Sequence, residues 1–175
     1  MGIEIQTARL RLVPMTVEAI DALIAGDRPA LEAEVGAVFP DPLAPPPETG
    51  DVLEFFRDIA SRETEWSPRF IILREPSTVV GSGGAMPPDP DGRCIVGYGT
   101  YPEHEGNGYA TEATLGLIAA YREHIDVVTI AATIHPYNLA SRRVAEKAGM
   151  RIVGEVMDPK EGRLDVWEIV VRPGR

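Results

Sequence analysis

Cysteine is nearly missing from this sequence. Cys94 is the single one among 175 residues, which excludes an intramolecular disulfide framework and a multi-cysteine zinc site. Histidine is scarce too, and His104, His124 and His135 show no metal-ligand spacing. Positive charge is in deficit: 17 Lys and Arg stand against 27 Asp and Glu, for a net charge of −10. Such a chain is poorly suited to nucleic acid or an anionic membrane through broad electrostatics. It suits a cationic or amine-bearing partner better. No stretch approaches the ~20 apolar residues that span a bilayer. The start, Met1-Gly2-Ile3-Glu4-Ile5, lacks a basic segment before an apolar run, so no secretory signal is read there. Thr7 lies one place beyond where a myristoylation motif wants its hydroxyl. The expected location is the cytoplasm, which the lone thiol tolerates.

What is present is ordinary globular composition, 44% apolar and 25% charged, long enough for one domain over 1–175. Residues 8–13 alternate polar and apolar and predict a first strand ended by Pro14. Thr16 predicts a helix N-cap, and Gly26 closes that helix. A second short helix is expected over Pro29 to Val35. Prolines 40, 42, 45, 46 and 47 exclude helix or central strand and mark an ordered loop or a flap. A helix over about Glu48 to Arg62 follows, with Val52, Phe55, Phe56 and Ile59 on one face.

Strands are expected at Phe70–Leu73, Val79–Met86 and Cys94–Tyr101, the last two joined by the turn cluster Pro87 to Gly92. The pattern then changes. Tyr109–Tyr121 reads as a helix, Val127–Ile134 as a buried β-branched strand, and Asn138 opens a helix that Gly149 ends. Arg151–Val156 and Asp165–Val171 alternate and read as a closing antiparallel pair. Strand, helix and strand over 94–134 imply a parallel pair. The fold class is therefore α+β: a mixed, mostly antiparallel sheet of about seven strands flanked by helices.

The segment Tyr101-Pro102-Glu103-His104-Glu105-Gly106-Asn107-Gly108-Tyr109-Ala110-Thr111 joins a strand to a helix. Glycines let the backbone turn there, and N–H groups converging on a helix N-terminus attract phosphate or pyrophosphate. A tight connection that binds nothing is the other reading. Gly-Lys-Ser/Thr is missing, so this is no P-loop, and the glycine spacing is not the dinucleotide fingerprint.

Here the sequence resembles the GNAT superfamily of acetyl-CoA-dependent N-acetyltransferases. Glu105-Gly106-Asn107-Gly108-Tyr109-Ala110 resembles its pyrophosphate loop. Thr111-Glu112-Ala113, Thr7-Ala8-Arg9-Leu10-Arg11-Leu12, Gly97-Tyr98 and the run Asn138 to Met150 are similar to the branch holding the ribosomal-protein-alanine N-acetyltransferases. The resemblance covers nearly the whole chain, in order. It implies acetyl-CoA as acyl donor with no metal. It implies that the main chain of Tyr98, Gly99 and Thr100 pairs with the pantetheine arm. N–H groups of Gly106, Asn107, Gly108, Tyr109, Ala110 and Thr111 are implied to hold the pyrophosphate, and Asn138 to hydrogen-bond the pantetheine. Asn138 also reads as a plain N-cap. Arg142, Arg143 and Lys147 read either as an adenosine-phosphate patch or as a solvated helix face.

Three positions depart from the family pattern. Glu105 stands where Gln or Arg is usual. Ala145 stands where some members carry a tyrosine acid. Ile95 or Val96 stands where a strand glutamate is usual. Ser141 is the expected acid, with a capping or surface hydroxyl as its other reading, and the oxyanion donor is expected among the main-chain N–H groups near Tyr98 to Thr100. The implied reaction is direct attack of a neutral amine on the thioester, the acceptor being first a protein or peptide N-terminal α-amine. A small amine such as an antibiotic or polyamine is the alternative acceptor, and a non-catalytic acyl-CoA-binding or sensing module, perhaps dimeric, the alternative role. A homodimer is compatible with either. His104 and His135 read as bases acting through water or as surface and packing residues. Cys94 is not expected to act as a nucleophile, because direct transfer needs no acyl-enzyme.

Overall fold

The computed structural model describes residues 2–44, 50–62 and 65–172. Its elements in chain order are strands β1 (Ile5–Gln6) and β2 (Leu10–Pro14), helices α1 (Val17–Ala25), α2 (Arg28–Val35) and α3 (Gly50–Ser61), strands β3 (Arg69–Leu73), β4 (Val79–Ala85) and β5 (Arg93–Thr100), helix α4 (Tyr109–Tyr121), strand β6 (Thr129–Ile134), helix α5 (Leu139–Lys147), and strands β7 (Arg151–Asp158) and β8 (Gly162–Val170). The strands hydrogen-bond in the order β1-β2-β3-β4-β5-β6-β8-β7. β1 with β2, β2 with β3, β3 with β4, β6 with β8 and β7 with β8 pair antiparallel, and β5 pairs with β6 in parallel. Contacts gather the chain into two compact units, Met1–Gly84 with Tyr98–Ala113, and Ala85–Gly97 with Thr114–Arg175.

In the first unit the caps behave as the residue types demand. The Thr16 side chain accepts from the Ala19 N–H at 3.1 Å, and Gly26 takes φ 67° to end α1. Asp27 caps α2 the same way through Ala30, with Pro29 in the first turn. The apolar faces of α1, α2 and α3 (Ile20, Leu23, Leu31, Leu53) meet Phe70, Ile72 and Val79 in one cluster. Burial of each such side chain stabilises the unit by about 1.5–3 kcal/mol. Phe39 meets Phe70 edge to face at 5.2 Å. The start of the proline-rich segment is tied to α2: the Arg28 guanidinium donates to the Phe39 and Pro40 carbonyls and to the Asp41 carboxylate. Prolines 45–47 and the expected helix start at Glu48 lie outside the described residues.

The second unit is built on β5, β6, β8 and β7. The parallel register runs Arg93↔Thr129, Cys94↔Ile130 and Ile95↔Ala131. β6 is buried at Ile130, Ala131, Ala132 and Ile134, as its β-branched sequence predicts. β8 buries Leu164, Asp165 and Trp167. β7 pairs with β8 antiparallel, as expected, and is the last strand in the order; its residues Arg151 to Met157 are all exposed. β1 is unforeseen, because two residues carry no readable period.

Gly81 shows how closely two backbones run in the first unit. A Cβ there would lie 2.0 Å from the Gly99 carbonyl oxygen. A Cβ on Gly97 would meet nothing within 4 Å. Gly81→Ala therefore has to push β4 off β5, and is expected to lose about 3 kcal/mol, the upper end for overpacking. Gly97→Ala is expected to lie within about 0.5 kcal/mol of wild type, as surface changes do. Urea unfolding of both variants checks the contrast, and equal midpoints would contradict the close approach.

Candidate functional site

The loop between β5 and α4 lies wholly in the first unit. It starts from a fixed point. Tyr101 is fully buried, its N–H donates to the Val80 carbonyl at 3.0 Å, and its hydroxyl donates to the Leu43 carbonyl. The Gly99 carbonyl oxygen also faces β4, 2.0 Å from where a Cβ on Gly81 would stand. Pro102–His104 makes one 3₁₀ turn.

Gly106 and Gly108 follow at φ 75° and 79°. A side chain is strained in that left-handed region, so the glycines are what let the chain reverse twice within three residues. The Asn107 amide donates to the His104 and Glu105 carbonyls, each at 3.1 Å. The first helical bond runs from the Glu112 N–H to the Gly108 carbonyl at 3.0 Å. Among the described residues, the N–H groups of Gly106, Asn107, Gly108, Tyr109 and Thr111 have no acceptor in the chain. Several orphan donors on two positive-φ glycines at the start of a 13-residue helix are an arrangement with the chemistry to hold an anion. The expected loop residues are thus brought together. The Glu105 side chain is exposed to solvent, and the N–H groups do not depend on it.

A side-chain cluster backs this loop that the sequence did not disclose. The Glu112 carboxylate accepts from the Thr7 hydroxyl at 2.6 Å, from the Arg9 N–H at 2.7 Å and from Arg9 Nε at 2.7 Å. Arg9 Nη1 donates to the Asn107 carbonyl at 3.1 Å, and its guanidinium lies 4.8 Å from the Tyr109 ring centre. Burial pushes the Glu112 carboxyl up, but the Thr7 and Arg9 hydrogen bonds outweigh it and hold the group below its ordinary value. Its contribution to stability is present above the ordinary carboxylate range and is lost as pH falls through the lowered value. The signal for this cluster was split between Thr7-Ala8-Arg9 and Thr111-Glu112-Ala113, segments about a hundred residues apart.

In the second unit, Asn138 caps α5. Its Oδ1 accepts from the Ser141 N–H at 3.0 Å, which leaves Nδ2 for another partner. Asn138 is exposed and Ser141 half-buried. Arg142 donates to the Pro136 carbonyl at 2.8 Å and lies 5.9 Å from the Trp167 ring centre, so it braces the helix start. Arg143 and Lys147 are exposed. Ala145 is buried, so that position packs. His135 Nε2 pairs with Glu161 at 2.8 Å and stacks on Tyr137 at 4.7 Å. Among the described residues no cluster of His, Cys, Asp and Glu suits a metal ion, and no helix is long and apolar enough to cross a membrane.

Cys94 is fully buried, and burial pushes its thiol up to about 12. It is a packing residue. Iodoacetamide at pH 8 is expected to leave Cys94 unmodified in the folded protein and to alkylate it in urea. Labelling of the folded protein at the unfolded rate, read by mass spectrometry, would contradict this.

Comparison with known proteins adds an independent line. The Acetyltransferase (GNAT) domain family matches residues 9–151. No curated protein sequence matches the chain. The ribosomal-protein-S5-alanine acetyltransferase of Vibrio fischeri superposes with a TM-score of 0.71 at 13% identity, covering 99% of this chain and 100% of that one. A ribosomal L7/L12 α-N-protein acetyltransferase, solved with coenzyme A, gives 0.67 at 13%, covering 96% and 98%. An aminoglycoside acetyltransferase, also solved with coenzyme A, gives 0.64 at 20%, covering 92% and 94%. At these identities the likeness is one of fold.

Proposed function

This chain belongs to the GNAT acetyltransferase family, and we propose that it transfers the acetyl group of acetyl-CoA to a primary amine, first of all the N-terminal α-amine of a protein or peptide. The observation that carries the donor half of this reading is the row of N–H groups at Gly106 to Tyr109 and Thr111 that find no acceptor among the described residues. Neutral amides and a helix start suit a diphosphate in a protein of net charge −10, where a cluster of lysines is not at hand. The bound donor supplies an acetyl thioester. Gly106 to Thr111 hold its diphosphate, and the main chain at Tyr98 to Thr100 runs along the pantetheine. Asn138 offers Nδ2 to that arm while its Oδ1 caps α5. As the amine nitrogen bonds to the acetyl carbon and the carbon–sulfur bond breaks, Ser141 Oγ gives a proton to the departing thiolate and regains one from the nitrogen, through water, so that the serine ends unchanged.

The acceptor half rests on what the strand lacks. Ile95 and Val96 occupy the places where a carboxylate base is sought, and Val96 is buried. Without a strong base the amine has to be neutral on arrival. An α-amine titrates near about 8, so roughly a tenth is neutral at pH 7, whereas a lysine at about 10.4 is neutral in roughly four molecules per ten thousand. The acidic surface also favours a cationic acceptor, which keeps a small polyamine or aminoglycoside as the second reading.

Two peptides decide between amines, one with a free N-terminus and no lysine, the other N-terminally blocked with one internal lysine. Release of the CoA thiol is followed for both. The α-amine is expected to win by about two orders of magnitude in kcat/KM at pH 7, the ratio of neutral fractions. Its kcat/KM is expected to rise with pH and level near about pH 8, where the amine itself titrates. Preference for the lysine peptide would overturn the α-amine assignment, and transfer to spermidine alone would replace it with the small-amine reading.

A further inference from the structure

We infer that Thr7, Arg9 and Glu112 form a positioning clamp that presets the diphosphate loop, so that donor affinity is set partly from the first strands of the chain. The inference rests on the acetyl-CoA reading above and concerns residues that touch the loop from behind. A trans peptide holds its C=O and N–H on opposite sides. Arg9 Nη1 captures the Asn107 carbonyl, so the N–H of the same peptide, that of Gly108, is turned away from Arg9. The Asn107 amide captures the Glu105 carbonyl, which turns the Gly106 N–H away in the same manner. The loop's donors are aimed because its carbonyls are tied.

Arg9 can do this only if it is itself fixed. Its side chain is half-exposed, and a free arginine would lose much rotamer entropy on docking. Glu112 removes that freedom: it takes Nε on one oxygen and the Arg9 and Thr7 donors on the other. The Tyr109 ring supports the guanidinium from one side. Glu112 sits in the first turn of α4, where its negative charge also suits the helix dipole. One carboxylate therefore joins the start of β2 to the helix whose N-terminus holds the donors. The segment Tyr101 to Gly108 contains Glu103 and Glu105 and no Lys or Arg, so the fixed cation comes from Arg9. The two glycines would otherwise sample many conformations, and the cost of ordering them would be taken from binding.

The test uses two acyl donors, acetyl-CoA and S-acetylpantetheine, which has the thioester and arm but no diphosphate. Glu112→Gln and Arg9→Lys are each expected to raise KM for acetyl-CoA roughly tenfold, the effect of one lost hydrogen bond to a charged group. Their kcat, and their KM for S-acetylpantetheine, are expected to stay within about threefold of wild type. Arg11→Lys, on the same strand but paired with Glu4, is the control and is expected to behave as wild type. Backbone ¹⁵N order parameters give a readout apart from activity: those of Gly106 and Gly108 are expected to fall in Glu112→Gln. Equal KM increases for both donors would show a general structural role and overturn the clamp. Unchanged KM for acetyl-CoA, or unchanged order parameters in the loop, would also overturn it. A wild-type protein that uses neither donor would instead refute the acetyltransfer reading, and that result is visible before any variant is made.

Discussion

The proposed function depends on the capture of carbonyl groups in an eight-residue loop. Each peptide carries one donor and one acceptor on opposite sides. Tying the acceptors at Glu105 and Asn107 to protein donors commits the paired N–H groups to the other side. Two glycines with positive φ make the geometry affordable, and the start of α4 adds its dipole. Tyr101, buried and bonded to Val80 and Leu43, anchors the loop at its β5 end. Glu112 anchors it at the helix end.

Much of this was legible in the sequence where the cause is local. Thr16, Gly26 and Asn138 punctuate helices through short-range hydrogen bonds or a left-handed residue, and the structure places all three at helix ends. The helix over 109–121 and the parallel strand pair follow from period and spacing. The glycine turn between β5 and α4 was visible because glycine takes a positive φ without strain. The family resemblance read from the motifs is borne out by the family match over 9–151.

The rest was hidden for physical reasons. The pairing of Arg9 with Glu112 joins residues distant in the chain, and nothing in either segment's period names the partner. The approach of Gly81 to Gly99 has the same character: each glycine alone reads as a weak strand residue. The exposure of β7 along Arg151 to Met157 was not readable, because a strand's place in the sheet is a property of the whole order. The chemical departures were legible as absences. Ala145 packs in the core, Cys94 is buried with its thiol pushed up to about 12, and the strand offers no carboxylate at Ile95 or Val96.

Titration calorimetry with acetyl-CoA, comparing wild type with a Gly106→Ala/Gly108→Ala double variant, tests the central claim most directly. The account predicts one-site binding to the wild type and a loss of at least about tenfold in affinity for the variant, because alanine at two left-handed positions costs about 1–2 kcal/mol each and the aimed amides are lost with the turn. Equal affinity of the two proteins for acetyl-CoA would contradict it.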